Sequence, residues 1–349
     1  MEESAMNNTL VAVDLAKSVF EIAVSHEPGK VSKRLRPKRE KLLEFFAQLP
    51  PATVIMEACG SAQFWAGEIQ KLGHRVVLLP AQHARPYVLR DKTDRTDTVG
   101  LLEAFRNETI RPVPLKTPQQ LLLGALHRLR AAWLSDRTAR INTLRGLLRE
   151  RGIFIPVGAR QVVPQVWAAL EDADANIPDV LRPFFAEVCQ EIRELERRIE
   201  SCERQLAALA VQIPAVKRLL TVPGVGLLIA TALIAFIGDV RRFPSGRHFA
   251  SYIGLVPREY SSGLKRRRGR ISKRGDVYLR TLLIHGARSV LRAARTKQQP
   301  DRLQAWALRL HDKLGYNKAA VALANKLARI VWAVWSSDER TFESATQAA

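Results

Sequence analysis

Between Phe185 and Leu209 the apolar residues Phe185, Val188, Ile192, Leu195, Ile199, Cys202, Leu206 and Leu209 follow one another in unbroken steps of three and four. Charged residues fill the intervals, so the segment reads as a heptad seam more than three repeats long, and such a helix requires a partner along its length. The repeat allows two partners. One is a helix of the same chain, for which residues 116 to about 153 are suited, being rich in Leu, Ala and Arg and closed by Gly152 and Pro156. The other is the same helix in a second copy.

The sequence ahead of this helical middle has a different period. Thr9 to Val24 reads as a strand, a tight turn near Ala16–Ser18 and a second strand, and His26–Lys30 is a turn into a third strand, VSKRLR. A helix near Lys38–Gln48, a strand over Ala52–Glu57, a helix near Ala62–Leu72 and a strand over Arg75–Leu79 follow. Three successive strands and then alternating helix and strand predict an α/β layer with a mixed sheet, in the order of an RNase H-like domain. After the seam, from about Lys217, the chain reads as mostly helical with Gly/Pro turns, and past Ser337 it is a polar tail.

Charge separates the same regions. Lys and Arg total 55 against 34 Asp and Glu, a net +21, of which residues 1–110 carry only +1. Such an excess fits a polyanionic partner lying against the later part of the chain, and nucleic acid is the leading candidate. From Arg241 to Arg280 there are 12 basic and two acidic residues, the densest charge in the sequence. Cys59, Cys189 and Cys202 have neither disulfide-framework nor zinc-ligand spacing. The first residues show no secretory signal, and the most apolar stretch, Leu227–Ile237, is too short to span a bilayer, which needs about 20 residues. A soluble protein of the reducing cytosol, with no membrane partner, is expected.

Four carboxylates stand out by position. Asp14 interrupts an apolar strand, Glu57 ends another, and Asp94 and Asp97, three apart at the start of a predicted helix, share one face. A cluster of acidic oxygens is what two-metal phosphoryl transfer requires, because Mg²⁺ takes hard oxygen ligands. Asp94 and Asp97 have a simpler explanation as caps or dipole partners of the helix, but that does not account for Asp14, since a buried carboxylate is costly unless paired or coordinated. In Leu219–Gly226, LLTVPGVG resembles a helix-hairpin-helix turn, in which Gly224 and Gly226 would offer backbone N–H groups to a phosphate; an ordinary interhelical turn would look the same. Arg258 and the run Lys265, Arg266, Arg267, Arg268, Arg270, Lys273 and Arg274 are expected to form a phosphate-contacting surface loop. Ser261 and Ser262 precede Gly263 and that run, and a serine beside guanidinium groups can act as a nucleophile on phosphate, although Ser-Ser-Gly is also common in loops.

These segments together carry a resemblance. VAVDLAKSVFEIAV, VIMEACGS, KTDRTD, LLTVPGVG and FASYIGLVPREYSSGLKRRRGRISKRGDVYLRTLLIHGAR resemble the transposases of the insertion-sequence one-ten family, and ISKRGDVYLRTLLIHGAR resembles its one-triple-one branch. The resemblance runs from about Leu10 to Trp335. It implies a RuvC-like domain with a DEDD set matched by Asp14, Glu57, Asp94 and Asp97, a coiled-coil linker, and a mostly α transposase domain whose nucleophilic serine matches Ser262, with Ser261 its neighbour. Thr98 stands where many relatives carry Ala. The implied boundaries are 1–112, 113–214, 215–337 and a tail at 338–349. The resemblance further implies Mg²⁺ or Mn²⁺ as cofactor, DNA and an element-encoded guide RNA as partners, and assembly as a dimer or tetramer through the coiled coil. It also implies a cytoplasmic, nucleoid-associated bacterial location.

The leading expectation is therefore an RNA-guided DNA recombinase working through a phosphoserine link. A RuvC-like junction-resolving nuclease would use the same four acids to activate water and would not need the serine. A non-catalytic nucleic-acid-binding protein leaves Asp14 without a reason.

Overall fold

The computed structural model describes residues 9–88 and 93–342, so Lys92 of the KTDRTD segment and the end of the polar tail lie outside the described residues. The chain divides into two compact units, Met1–Thr117 and Pro118–Ala349.

The first unit contains β1 (Leu10–Asp14), β2 (Glu21–Ser25), β3 (Lys33–Leu35), α1 (Leu42–Ala47), β4 (Thr53–Glu57), α2 (Ala62–Lys71), β5 (Arg75–Leu79), α3 (Ala81–Ala84) and α4 (Asp94–Arg106). The sheet order is β3-β2-β1-β4-β5; β1 and β3 run antiparallel to β2, while β1, β4 and β5 are parallel. Strict alternation gives each face its own core. Val11, Val13, Ile22, Val24, Val54 and Met56 pack with Phe46 and Leu42 of α1 and Trp65 and Ile69 of α2. Ala12, Ala23, Ile55, Val77 and Leu79 pack with Leu101, Leu102 and Ala104 of α4. Helices on both faces explain why β1 and β4 are apolar throughout their middles, as parallel strands buried on two sides must be.

The second unit contains α5 (Pro118–Arg149), α6 (Ala159–Glu171), α7 (Arg182–Val211), α8 (Pro214–Leu219), α9 (Leu227–Ile237), α10 (Gly246–Tyr252), β6 (Pro257–Glu259), β7 (Arg268–Ile271), α11 (Val277–Thr296), α12 (Arg302–Leu314) and α13 (Tyr316–Trp335). The heptad seam lies on α7, and α5 lies against it. Ion pairs Arg130–Glu203, Arg137–Glu196 and Arg140–Glu191, at 2.7, 3.5 and 2.5 Å, descend along α7 as they ascend along α5, so the two helices are antiparallel. Packing agrees: Ile141, Leu144 and Leu148 meet Phe185 and Ile192, while Leu123 lies with Leu206. Of the two partners the repeat allowed, the chain itself supplies one. Partly exposed pairs of this kind are each worth about 1 kcal/mol or less, so apolar burial holds the hairpin together and the charges mark its register.

Leu227–Ile237 is apolar on all sides because it is the central helix of the second core, with Ile229 through Ala235 and Ile237 buried. Among the described residues no helix is long and apolar enough to cross a membrane. Two features depart from the sequence reading. Helix α6, with Pro164 inside it, occupies a stretch for which no element was predicted. The basic run expected as a loop is instead one arm of a two-stranded hairpin, β6 with β7.

Candidate active site

The α/β unit brings its carboxylates to one end of one face. Asp14 and Glu57 are the last residues of adjacent parallel strands held in the register Val13 to Met56. Alternation places Asp14 with Ala12 and Glu57 with Ile55, the face covered by α4. On α4 the positions 94, 97, 101 and 104 form one stripe, and Leu101 and Ala104 of that stripe are buried in the same core. This stripe puts Asp94 and Asp97 in the first turns of α4, with Asp94 Oδ2 4.0 Å from Arg36.

Neither aspartate caps the helix. Thr93 is the N-cap, its hydroxyl accepting from the Thr96 N–H at 3.2 Å while the Thr96 hydroxyl accepts from the Thr93 N–H at 3.0 Å. With that box closed by two threonines, the capping explanation for the acidic pair lapses. Thr98 is fully buried and its hydroxyl donates to the Arg95 carbonyl at 3.0 Å.

All four side chains offer hard oxygens, a donor set suited to Mg²⁺ or Mn²⁺. Among the described residues no three His, Cys, Asp or Glu stand close enough together to hold an ion, so the acids share an end and a face without converging on a point. Beside Asp94 opens a cavity of about 570 Å³ bounded by Glu21, Arg34, Leu35, Arg36, Thr93 and Arg95. Glu21 is a fifth carboxylate at this end that the sequence reading missed. It is the first residue of β2 and pairs in register with Asp14, a signal available only once the β1–β2 pairing is known.

In the second unit, Ser261 and Ser262 sit in the β6–β7 hairpin. Ser262 and Lys265 exchange both backbone hydrogen bonds, at 3.1 and 3.2 Å, around the two-residue loop Gly263–Leu264. Gly263 has φ of +54° at the first loop position, where a type II′ turn calls for glycine. The two serines are in different states. The Ser261 hydroxyl donates to the Glu259 carboxylate at 2.5 Å and accepts from the Arg267 N–H at 3.1 Å. Donation from Ser261 holds Glu259 below the usual carboxylate range, with Arg266 and Arg268 adding to the effect. The Ser262 hydroxyl makes no hydrogen bond among the described residues, and its residue is exposed.

The hairpin's cations are exposed throughout. Arg266 reaches Glu259 at 3.5 Å and Arg258 donates to the Ser272 carbonyl at 3.3 Å. Lys265, Arg267, Arg268, Arg270, Lys273 and Arg274 have no acidic group within ion-pair distance among the described residues. At the hairpin's root the buried Arg280 of α11 donates to the carbonyls of Ile253 and Gly275, at 3.1 and 3.2 Å, tying together the chain entering and leaving it. Sequence reading had counted Arg280 only as the end of a basic run.

The two glycines of the VPGVG turn differ as well. Gly224, at φ +78°, lies against Gly286 of α11 so closely that a Cβ on it would fall 2.6 Å from the Gly286 carbonyl oxygen. Packing alone therefore requires glycine there. Gly226, the N-cap of α9, is exposed with nothing near its missing Cβ.

Comparison with known proteins gives consistent matches over nearly the whole chain. The family described as "Transposase IS116/IS110/IS902 family" matches residues 216–303, and one described as "Transposase" matches residues 11–153. A protein of Pseudomonas aeruginosa called "Probable family 20 transposase" is 42% identical, covering 95% of this chain and 98% of its own length. The "Transposase for insertion sequence element IS1111A" of Coxiella burnetii is 37% identical over 95% of this chain and 90% of its own. The "Transposase for insertion sequence element IS1328" of Yersinia enterocolitica is 37% identical, covering 94% and 97%.

Proposed function

We infer that this chain, which belongs to the IS116/IS110/IS902 family of transposases, cuts and rejoins the DNA of an insertion sequence under RNA guidance, with Ser262 as nucleophile. Transposition is phosphoryl transfer on DNA, so the chain is an enzyme. In this reading the first unit is a RuvC-like domain in which Asp14, Glu57, Asp94 and Asp97 hold divalent ions. The regions 1–112, 113–214 and 215–337 divide metal chemistry, oligomer contact and serine chemistry among them. The protein works as a homo-oligomer, a dimer or tetramer, at the bacterial nucleoid.

The observation that carries the serine step is the division of labour between Ser261 and Ser262. Ser261 is fixed inside the hairpin, its hydroxyl donating to Glu259 and accepting from the Arg267 N–H, whereas Ser262 offers an unengaged, exposed hydroxyl beside the turn on an arm of exposed cations. In the step itself the Ser262 Oγ–P bond forms as the bond from phosphorus to the leaving sugar oxygen breaks. The hydroxyl proton passes to a base or to solvent, and the phosphodiester count is conserved for rejoining. Asp14, Glu57, Asp94 and Asp97 would be the residues to hold Mg²⁺ or Mn²⁺, which when bound would supply charge stabilisation for phosphate oxygens. Lys265, paired with Ser262 across the turn, and the other cations of the arm would supply further positive charge. Gly226 and the cations from Arg258 to Arg274 would contact the phosphates of DNA and guide RNA, and the net +21 suits two polyanionic partners.

The test is covalent capture. Wild-type protein and Ser261→Ala should form a protein–DNA adduct that survives denaturing electrophoresis, and Ser262→Ala should bind DNA yet form none. Cleavage without any adduct in the wild type would favour the water-activating nuclease instead. A discrete RNA that co-purifies and pairs with the element's ends supports guidance; its absence removes that part of the reading.

A further inference from the structure

Helix α13 buries one face in the second core, while Lys326, Arg329, Ile330 and Ala333 recur at helical spacing on another. In a helix packed this closely such a stripe normally meets a neighbouring element. Here it fronts a cavity of about 570 Å³, lined also by Trp332 and by Arg247 of α10. The walls are held in place. Trp332 Nε1 donates to the Phe243 carbonyl at 3.0 Å, and Lys326 Nζ lies 4.5 Å over the Trp306 ring of α12. Gly246 lets α10 and α13 meet at the cavity, since a Cβ on it would fall 3.0 Å from Arg329 Cα. Three cations line the cavity and no acid does. None of the three has a carboxylate within ion-pair distance among the described residues, whereas Arg130, Arg137 and Arg140 of α5 are paired along α7.

Unneutralised cations around an apolar floor select the form of their ligand. A duplex presents phosphates alone, because its bases are stacked inside and cannot reach Ile330, Trp332 and Ala333. An unpaired strand offers both parts, phosphates for the cations and a base or sugar for the floor. We propose that the cavity between α10 and α13 binds an unpaired strand of nucleic acid, as a site additional to the β6–β7 arm. This goes beyond the serine reading and needs only that the chain act on nucleic acid.

The test is fluorescence anisotropy on the full-length protein, with labelled oligouridylate, oligothymidylate and a DNA duplex of equal length over a series of salt concentrations. Replacing Arg247, Lys326 and Arg329 together by Gln should weaken single-strand binding about tenfold and reduce its slope of log affinity against log salt by about two, at about 0.7 for each phosphate. The duplex slope should stay nearly unchanged. Replacing Arg266, Arg267 and Arg268 by Gln, an equal change of charge, should do the reverse. Equal losses on strand and duplex in both variants would reduce the effect to net charge and overturn the proposal, as would an unaltered single-strand slope. Ile330→Ala changes no charge and should weaken single-strand binding about threefold at constant slope; no loss there overturns the apolar floor and the preference for an unpaired strand with it. Arg247→Gln alone, at an exposed position, should lower the single-strand slope by about 0.7 and decides the matter if the triple variant fails to fold. A larger effect on oligouridylate than on oligothymidylate assigns the strand to RNA and the reverse to DNA, while equal effects mean that the site reads the strand and not the sugar. Ser262 is scored separately, by its adduct in the wild type.

Discussion

His127 on α5 is fully buried with both ring nitrogens engaged, Nδ1 with the Tyr278 hydroxyl and Nε2 with the Thr231 hydroxyl, each at 3.0 Å. It joins α5, α9 and α11, the last of which carries Arg280 and so roots the serine hairpin. Burial pushes its pKa down to about 4 from an ordinary 6.5, and the nearby Arg130 adds to the effect. The folded state thus binds the proton less readily than the unfolded chain. The resulting stability is complete above about pH 6.5 and is lost as pH falls toward 4, amounting to roughly 3 kcal/mol over that span. Denaturant unfolding at pH 7, 6 and 5 should show this loss in wild type and a flatter pH profile in His127→Gln. Equal slopes in the two proteins would mean that the unfolded-state reference, and not this histidine, governs the acid limb.

At the scale of elements, the β6–β7 hairpin is a short, exposed ladder with a dense row of cations on its second arm. Replacing Arg266, Arg267 and Arg268 together by Gln should weaken binding to unrelated DNA sequences alike. It should also reduce the slope of log affinity against log salt by about one for each phosphate no longer neutralised. An unaltered slope would make the arm a solvated surface. This hairpin also marks where sequence ceases to be legible. Its strands are exposed on both faces, so no apolar alternation announces them, and R-G-R-I inside a basic run reads as loop. The sheet strands and α7 were legible because burial imposes periods of two and of three to four on their apolar residues. Asp14 and Glu57 were visible as charges breaking such a pattern. Glu21 was not, since a carboxylate opening a strand looks ordinary until the β1–β2 register sets it opposite Asp14. Gly224 stays ambiguous for the opposite reason: the turn motif that suggests phosphate contact is equally required by the close approach of Gly286.

For the molecule as a whole, charge follows the division into units. Residues 1–117 carry a net +3 of the total +21, and residues 118–349 carry +18. Each unit has its own core, two sheet faces in the first and the α9-centred and α5–α6–α7 clusters in the second, so each holds the apolar burial needed to fold separately. On the proposed reading, the distance in sequence between the excess positive charge and Asp14, Glu57, Asp94 and Asp97 would separate docking from metal chemistry, and the two can be measured apart. A fragment of residues 118–349 should bind duplex DNA with nearly the salt slope of the full chain, because the slope counts phosphates neutralised and the cations are there. The fragment 1–117 should bind DNA weakly with a shallow slope, yet keep the Mn²⁺ affinity of the full chain, since Asp14, Glu57, Asp94 and Asp97 all lie within it. Should the first fragment account for more than half of the full-length salt slope, local cations such as Arg34, Arg36 and Arg95 would be the principal phosphate contacts and the hairpin would lose that role.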